Sequence, residues 1–178
     1  MSWQDFVPKQ LFECFSIKSV VSGFAIKVEV RDTNTPVGYG VFALESAERN
    51  SLIWEKKTVV ELNKAGYEAF APKLDNAAKS FFWSHVYSDV PTSDYYLDDH
   101  HAVILTFDEG MFVNHSADPN IRGGEQKENL TACYAAKKIN IGDQICDNYG
   151  KYYNPEWYVK YCKEFGIMTS RQVSVRFP

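Results

Sequence analysis

The chain alternates short apolar stretches with dense groups of turn formers. Phe24, Ile26, Val28 and Val30 face Ala25, Lys27, Glu29 and Arg31 at a period of two, which predicts a half-buried strand. "DTNTPVGYG" (32–40) ends it with nearly every turn-forming residue type. "VFALESAERNSLIWEKKTVVEL" (41–62) reads as further short strands on tight connections. From 66 to 88 the period lengthens: Leu74, Ala77, Ala78, Phe81, Phe82 and His85 recur at three and four residues, predicting one amphipathic helix with Pro72 near its start. Strands are expected at 101–107 and 110–113, and again in "LTACYAAKKI" (130–139), after a charged turn at 123–129. Pro155 then starts a helix that carries Trp157, Tyr158, Tyr161 and Phe165 at helical spacing. Many short strands with one or two inserted helices specify a mostly β, α+β fold.

At 178 residues the chain suits one domain with a sizeable core. Its net charge of −4 lacks the basic field that non-specific nucleic-acid binding needs. No direct nucleic-acid binding is therefore expected, and a cationic partner is easier to recruit. Cys14, Cys133, Cys146 and Cys162 lie far apart with no C-x-x-C pair. That disfavours a zinc site or disulfide framework and points to buried free thiols in a reducing compartment. The N-terminus does not read as a signal peptide, and no apolar run is long enough to span a membrane. Residence in the nucleus or cytoplasm is expected; the oligomeric state is not legible.

Four stretches carry chemistry. "GYGVFA" (38–43) offers a backbone that a ligand can approach closely, although a hairpin turn would use the same glycines. "NHSADPN" (114–120) sets two amides, an imidazole, a hydroxyl and a carboxylate beside an apolar run, where a plain loop is the simpler reading. "QICDNYG" (144–150) ends in Tyr149, either a packed ring or a phenol aimed into a pocket. "PEWY" (155–158) presents Trp157 as a core ring or as a flat face for a ligand. His100 and His101 beside Asp98 and Asp99 make a poor metal site, since neighbours in an extended segment point to opposite sides. No metal is expected. No serine or cysteine has the surroundings of a hydrolase nucleophile.

The order and spacing of these stretches resemble the SET-domain lysine methyltransferases, over about 23–165, in a member without a cysteine-rich zinc flank. The resemblance implies the SET fold of several short twisted sheets with a knot-like crossing, residues 55–105 as a variable insert, and unassigned flanks at 1–22 and 166–178. It also implies an S-adenosylmethionine-dependent enzyme that transfers a methyl group in line to a deprotonated lysine amine in an aromatic channel. The partner would be a lysine-bearing protein or peptide, a histone among the candidates. By match, Asn114 and His115 would hydrogen-bond the cofactor, Gly38, Tyr39 and Gly40 would admit its methionine portion, and Trp157 would cover its adenine. Tyr149 would be the catalytic tyrosine at the same site, and Asp118 and Asn120 structural. The sequence departs from the family's usual residues at Ala117, where small residues are tolerated, and at Cys146 and Asn148, so that with the latter two channel shape and the number of methyl groups added do not carry over. Two other readings stay open: an N-methyltransferase for a free amino acid or other small amine, and an inactive SET-like binding module. Asp94, Asp98 and Asp99 could dock a basic peptide, though a charged loop is more often simply solvated.

Overall fold

The computed structural model describes residues 2–88, 101–124 and 131–177. The strands are β1 (Val28–Asp32), β2 (Tyr39–Ala43), β3 (Leu52–Glu55), β4 (Val59–Leu62), β5 (Tyr87–Ser88), β6 (Val103–Thr106), β7 (Asn114–His115), β8 (Ile121–Gly123), β9 (Ala132–Ala135) and β10 (Gln144–Asp147). The helices are α1 (Lys9–Cys14), α2 (Lys64–Phe70), α3 (Asn76–His85), α4 (Glu156–Glu164) and α5 (Ser170–Arg176). They fall into two compact units: a sheet unit of 21–58, 106–149 and 177–178, and a helical unit of 1–20, 59–105 and 150–176.

In the sheet unit, β1, β2, β10 and β7 form one sheet in that order, and β3, β9 and β8 form another. The β1–β2 hairpin sets Val28 opposite Ala43 and Arg31 opposite Gly40. Its turn runs through Gly38 at φ +83°, a left-handed conformation that favours glycine. The glycine turn is therefore the expected hairpin. Val41, Ala43, Ile53, Phe107, Ala135, Ile139 and Ile145 are fully buried between or beneath these strands. The expected strand at 110–113 is instead a 3-10 turn over Glu109–Phe112. The Asp108 carboxylate accepts from the Gly110 amide at 2.9 Å and winds the backbone there before it can extend.

The helical unit holds the sheet β4–β6–β5, with Tyr87 opposite Ile104 and Ser88 opposite Val103. The single helix expected over 66–88 is two. α2 is capped by Asn63, which accepts from Gly66 N at 2.9 Å, and α3 by Asp75, which accepts from Ala78 N at 2.8 Å. Between them, Ala71–Lys73 form a 3-10 turn around Pro72; proline has no N–H to continue the first ladder, and Asp75 offers the next helix a ready start. Tyr67, Phe82 and Trp83 pack centre to centre at 4.5–5.5 Å with Tyr161 of α4 beside them. The helix predicted from Pro155 is α4, while α1 and α5 lie in flanks to which the pattern assigned nothing. All four cysteines are free, but only Cys162 is buried; Cys14, Cys133 and Cys146 are half-buried. No helix among the described residues is long and apolar enough to cross a membrane. Asp94, Asp98, Asp99 and His100, named above for docking or metal binding, lie outside the described residues, as does 125–129 of the charged turn.

Candidate functional site

"NHSADPN" is stitched to the strand that precedes Tyr149. β7 runs parallel to β10, with Asn114 opposite Cys146 and His115 opposite Asp147. The Ser116 amide donates to Asp147 O at 2.9 Å, and the Asn120 amide to Cys146 O at 3.2 Å. Asn120 closes the other side with its own amide group: Nδ2 donates to Gln144 O at 2.8 Å and Oδ1 accepts from Cys146 N at 2.9 Å. Asn120 is only 8% exposed, so its carboxamide is the partner that buried strand backbone requires. This answers why so polar a segment sits against the core. Ala117 and Asp118 remain exposed, with Asp118 paired to Lys137 Nζ at 2.6 Å. Hydrogen exchange should accordingly find the Ser116, Asn120 and Cys146 amides slow and the exposed Ala117 amide fast. Uniformly rapid exchange across 114–120 would mean an unpinned loop.

Gly40 and Asn114 depend on each other. Asn114 Nδ2 donates to Tyr39 O at 2.9 Å, joining β7 to the hairpin. A Cβ at Gly40 would stand 2.5 Å from Gln144 Nε2, 3.0 Å from Thr33 Cγ2 and 3.1 Å from Asn114 Nδ2, so a side chain there would push the Gln144 amide aside and crowd the asparagine by a few tenths of an ångström. Around Gly38 nothing lies within 4 Å of the equivalent position, which leaves that backbone open to an approaching group. Tyr39 is 37% exposed, its ring edge-on to Phe112 at 6.4 Å.

His115 lies one bond from Tyr149. Its Nδ1 accepts from the Tyr149 amide at 3.0 Å, so its ring proton sits on Nε2. That Nε2 is buried and has no hydrogen-bond partner among the described residues. A buried donor left over is costly, and the cost is relieved by a ligand that brings an acceptor. The Tyr149 hydroxyl donates to Val113 O, with the ring 5.5 Å from that of His115. Burial first, then the Asp147 and Cys146 charges, push the phenol's pKa above its ordinary value. Tyr149 therefore stays protonated and cannot serve as a base near neutral pH. Burial and Asp147 likewise push the Cys146 thiol up to about 11, which removes it as a nucleophile.

The structure thus brings together Gly38, Tyr39, Gly40, Asn114, His115 and Tyr149 within the sheet unit. Trp157 lies in the helical unit, 4% exposed and edge-on to Trp83 at 5.9 Å. Sequence reasoning missed Val113, whose contribution is a backbone carbonyl and leaves no residue-type signal. It also missed Gln144 and Asp108. The one available cue for Asp108 was a lone acid inside the apolar run "VILTFDEGMF".

The SET domain family model matches residues 38–150. No curated protein matches the chain. Among solved structures, the match to a humanized mutant of the Chaetomium thermophilum Polycomb Repressive Complex 2 bound to an inhibitor has 17% identity and a TM-score of 0.49. It covers 73% of this chain and spans only 16% of that one. A Plasmodium falciparum protein assigned as a histone methyltransferase is 19% identical with a TM-score of 0.41, over 69% of this chain and 92% of that one.

Proposed function

The chain belongs to the SET-domain family, whose pattern covers residues 38–150, and on that premise we propose that it is an S-adenosylmethionine-dependent protein-lysine N-methyltransferase. The observation that carries the reading is the convergence, around the β7–β10 pairing, of a buried unmet donor on His115, an amide bonded to Tyr39 O and a protonated phenol. These residues fit the cofactor: the His115 Nε2 proton seeks an acceptor, and Gly38–Gly40 is a backbone surface with no side chain in the way at Gly38. Asn114 would hold the cofactor's polar groups with Oδ1 and its second Nδ2 hydrogen, since the first is committed to Tyr39 O. Trp157 enters on the family resemblance alone. When bound, S-adenosylmethionine supplies an electrophilic methyl group on a sulfonium.

Tyr149 has one hydroxyl hydrogen, which it donates to Val113 O. What remains for a substrate is the oxygen as acceptor. An amine N–H donating to that oxygen is turned so that its lone pair points elsewhere, toward the methyl carbon, and such orientation is a large part of catalysis by positioning. Because the phenol is held protonated by burial, it does not take the amine's proton. The amine must arrive neutral, which removal from water favours. A lysine on a protein, a histone tail among the candidates, is the proposed acceptor. Nuclear or cytoplasmic residence is part of the same proposal.

Calorimetry tests it. S-adenosylmethionine or its demethylated product should stabilise the protein by about 2.7 kcal/mol at 100 times its dissociation constant. Asn114→Ala should reduce that stabilisation by about 1–2 kcal/mol at fixed ligand concentration. Transfer of labelled methyl from the cofactor to peptides, free amino acids and a lysate then separates a protein-lysine enzyme from a small-amine enzyme or an inactive binder. A well-folded protein that shows no binding at millimolar cofactor would remove the basis of the proposal.

A further inference from the structure

Tyr67, Glu68, Lys79, Tyr161, Glu164 and Phe165 line an open groove of about 630 Å³ within the helical unit. None of them belongs to the candidate site. The groove's aromatic wall is held by packing: Tyr161 stacks on Trp83 at 5.1 Å with ring planes 9° apart, and Tyr67, 2% exposed, meets Tyr161 at 4.7 Å and stacks on Phe82 at 5.5 Å. Two carboxylates from different helices stand over this wall, Glu68 from α2 and Glu164 from α4. Glu68 Oε1 accepts from the Tyr161 hydroxyl at 3.2 Å, which sets a carboxylate beside the ring. Neither glutamate is in an ion pair among the described residues. Lys79 is the one opposing charge on the lining.

An apolar ligand would strip water from both carboxylates and offer them nothing, and an anion would be repelled by both. A cation on an apolar stem meets each requirement: the stem lies on the accessible rings of Tyr161 and Phe165 and the head reaches the carboxylates. Arginine suits this better than lysine, because its planar guanidinium both stacks on aromatic faces and bonds a carboxylate through two N–H groups. We propose that this groove docks an arginine side chain of the protein whose lysine is methylated, a second attachment point outside the reaction site. The identity of that protein as a methyl acceptor rests on the proposed function; the groove's preference for arginine does not.

The probe is therefore a short lysine-free peptide with one arginine between alanines and glycines, titrated into the full chain and followed by NMR. Shifts should centre on Tyr161, Phe165 and Lys79. Glu68→Gln with Glu164→Gln should weaken binding by about fivefold, in line with exposed charge pairs. Lys79→Gln should tighten it by about twofold, since it removes the opposing charge. Glu29→Gln with Glu48→Gln, an equal change of net charge in the sheet unit, should leave it unchanged. In methyl transfer to a peptide carrying lysine and arginine, the groove double variant should raise KM by about fivefold at unchanged kcat. Equal weakening by the control pair, a peptide signal that misses the groove, or weaker binding in Lys79→Gln would each overturn the proposal. Normal arginine titration with no methyl transfer to any substrate would overturn the methyltransferase reading and leave the groove standing.

Discussion

Asp108→Ala is expected to destabilise the protein by about 3–5 kcal/mol, read from the midpoint of urea unfolding at neutral pH. Asp108 is 1% exposed, and its carboxylate is the common acceptor of three separate pieces of chain. Oδ2 accepts from Trp54 Nε1 and from Gly23 N, both at 2.8 Å, while Oδ1 accepts from Gly110 N at 2.9 Å. The fit leaves no slack: a Cβ at Gly23 would stand 2.4 Å from Trp54 Nε1 and 2.2 Å from Glu55 O. Alanine would leave three donors without a partner, each a desolvation cost that nothing nearby offsets. A loss under about 1 kcal/mol would show that water replaces the carboxylate and that the hub is not structural.

The same residue gives stability a pH dependence of unusual sign. Burial raises the Asp108 pKa from 3.8 to about 6 against the pull of its three hydrogen bonds, with Glu109 adding to the rise. A folded state that holds the proton more tightly than the unfolded chain gains stability at low pH. That contribution is complete below about pH 4 and is lost as pH rises through about 6. The stability slope over that window should be more negative than in Asp108→Asn, which carries no titrating proton there.

Whether the fold was legible depended on how local each cause is. The β1, β2 and β9 strands and α4 follow from short-range pattern, and the sequence places them within a few residues. α1 is different: six residues with one buried side chain, Leu11, make no recognisable period, and its neighbourhood is fixed from far away by Phe15 edge-on to Phe70 at 4.7 Å. The 3-10 turn at 109–112 was hidden for the opposite reason, since "GMFV" has strand composition and a single upstream carboxylate decides against it. At the site, residue identities were legible through the family pattern, yet their couplings were not. That Asn114 bonds to Tyr39 O, or that Val113 O accepts from the Tyr149 hydroxyl, depends on backbone placed across more than thirty residues of sequence.

Tyr149→Phe should lower kcat by about one to three powers of ten while leaving cofactor affinity and stability little changed, each factor of ten being about 1.4 kcal/mol of barrier. Phenylalanine keeps the ring near His115 and deletes one oxygen. Val113 O loses a donor, but a carbonyl with two lone pairs tolerates that better than an amide would. On the proposed function, what disappears is the acceptor assigned to orient the incoming amine, an interaction that would matter most when the lone pair must line up with the breaking bond. In the unmodified protein the Tyr149 phenol stays protonated through the working range, because burial has pushed its pKa upward. Any rise of kcat/KM toward alkaline pH must then come from the substrate amine losing its proton, and Tyr149→Phe should keep that rise at a lower plateau. If the alkaline rise vanished with the hydroxyl, Tyr149 would be the titrating base and its protonated assignment would be wrong. If turnover were undiminished, the phenol would be only a packed ring, and the orienting acceptor would have to be sought at Tyr152 or Tyr153.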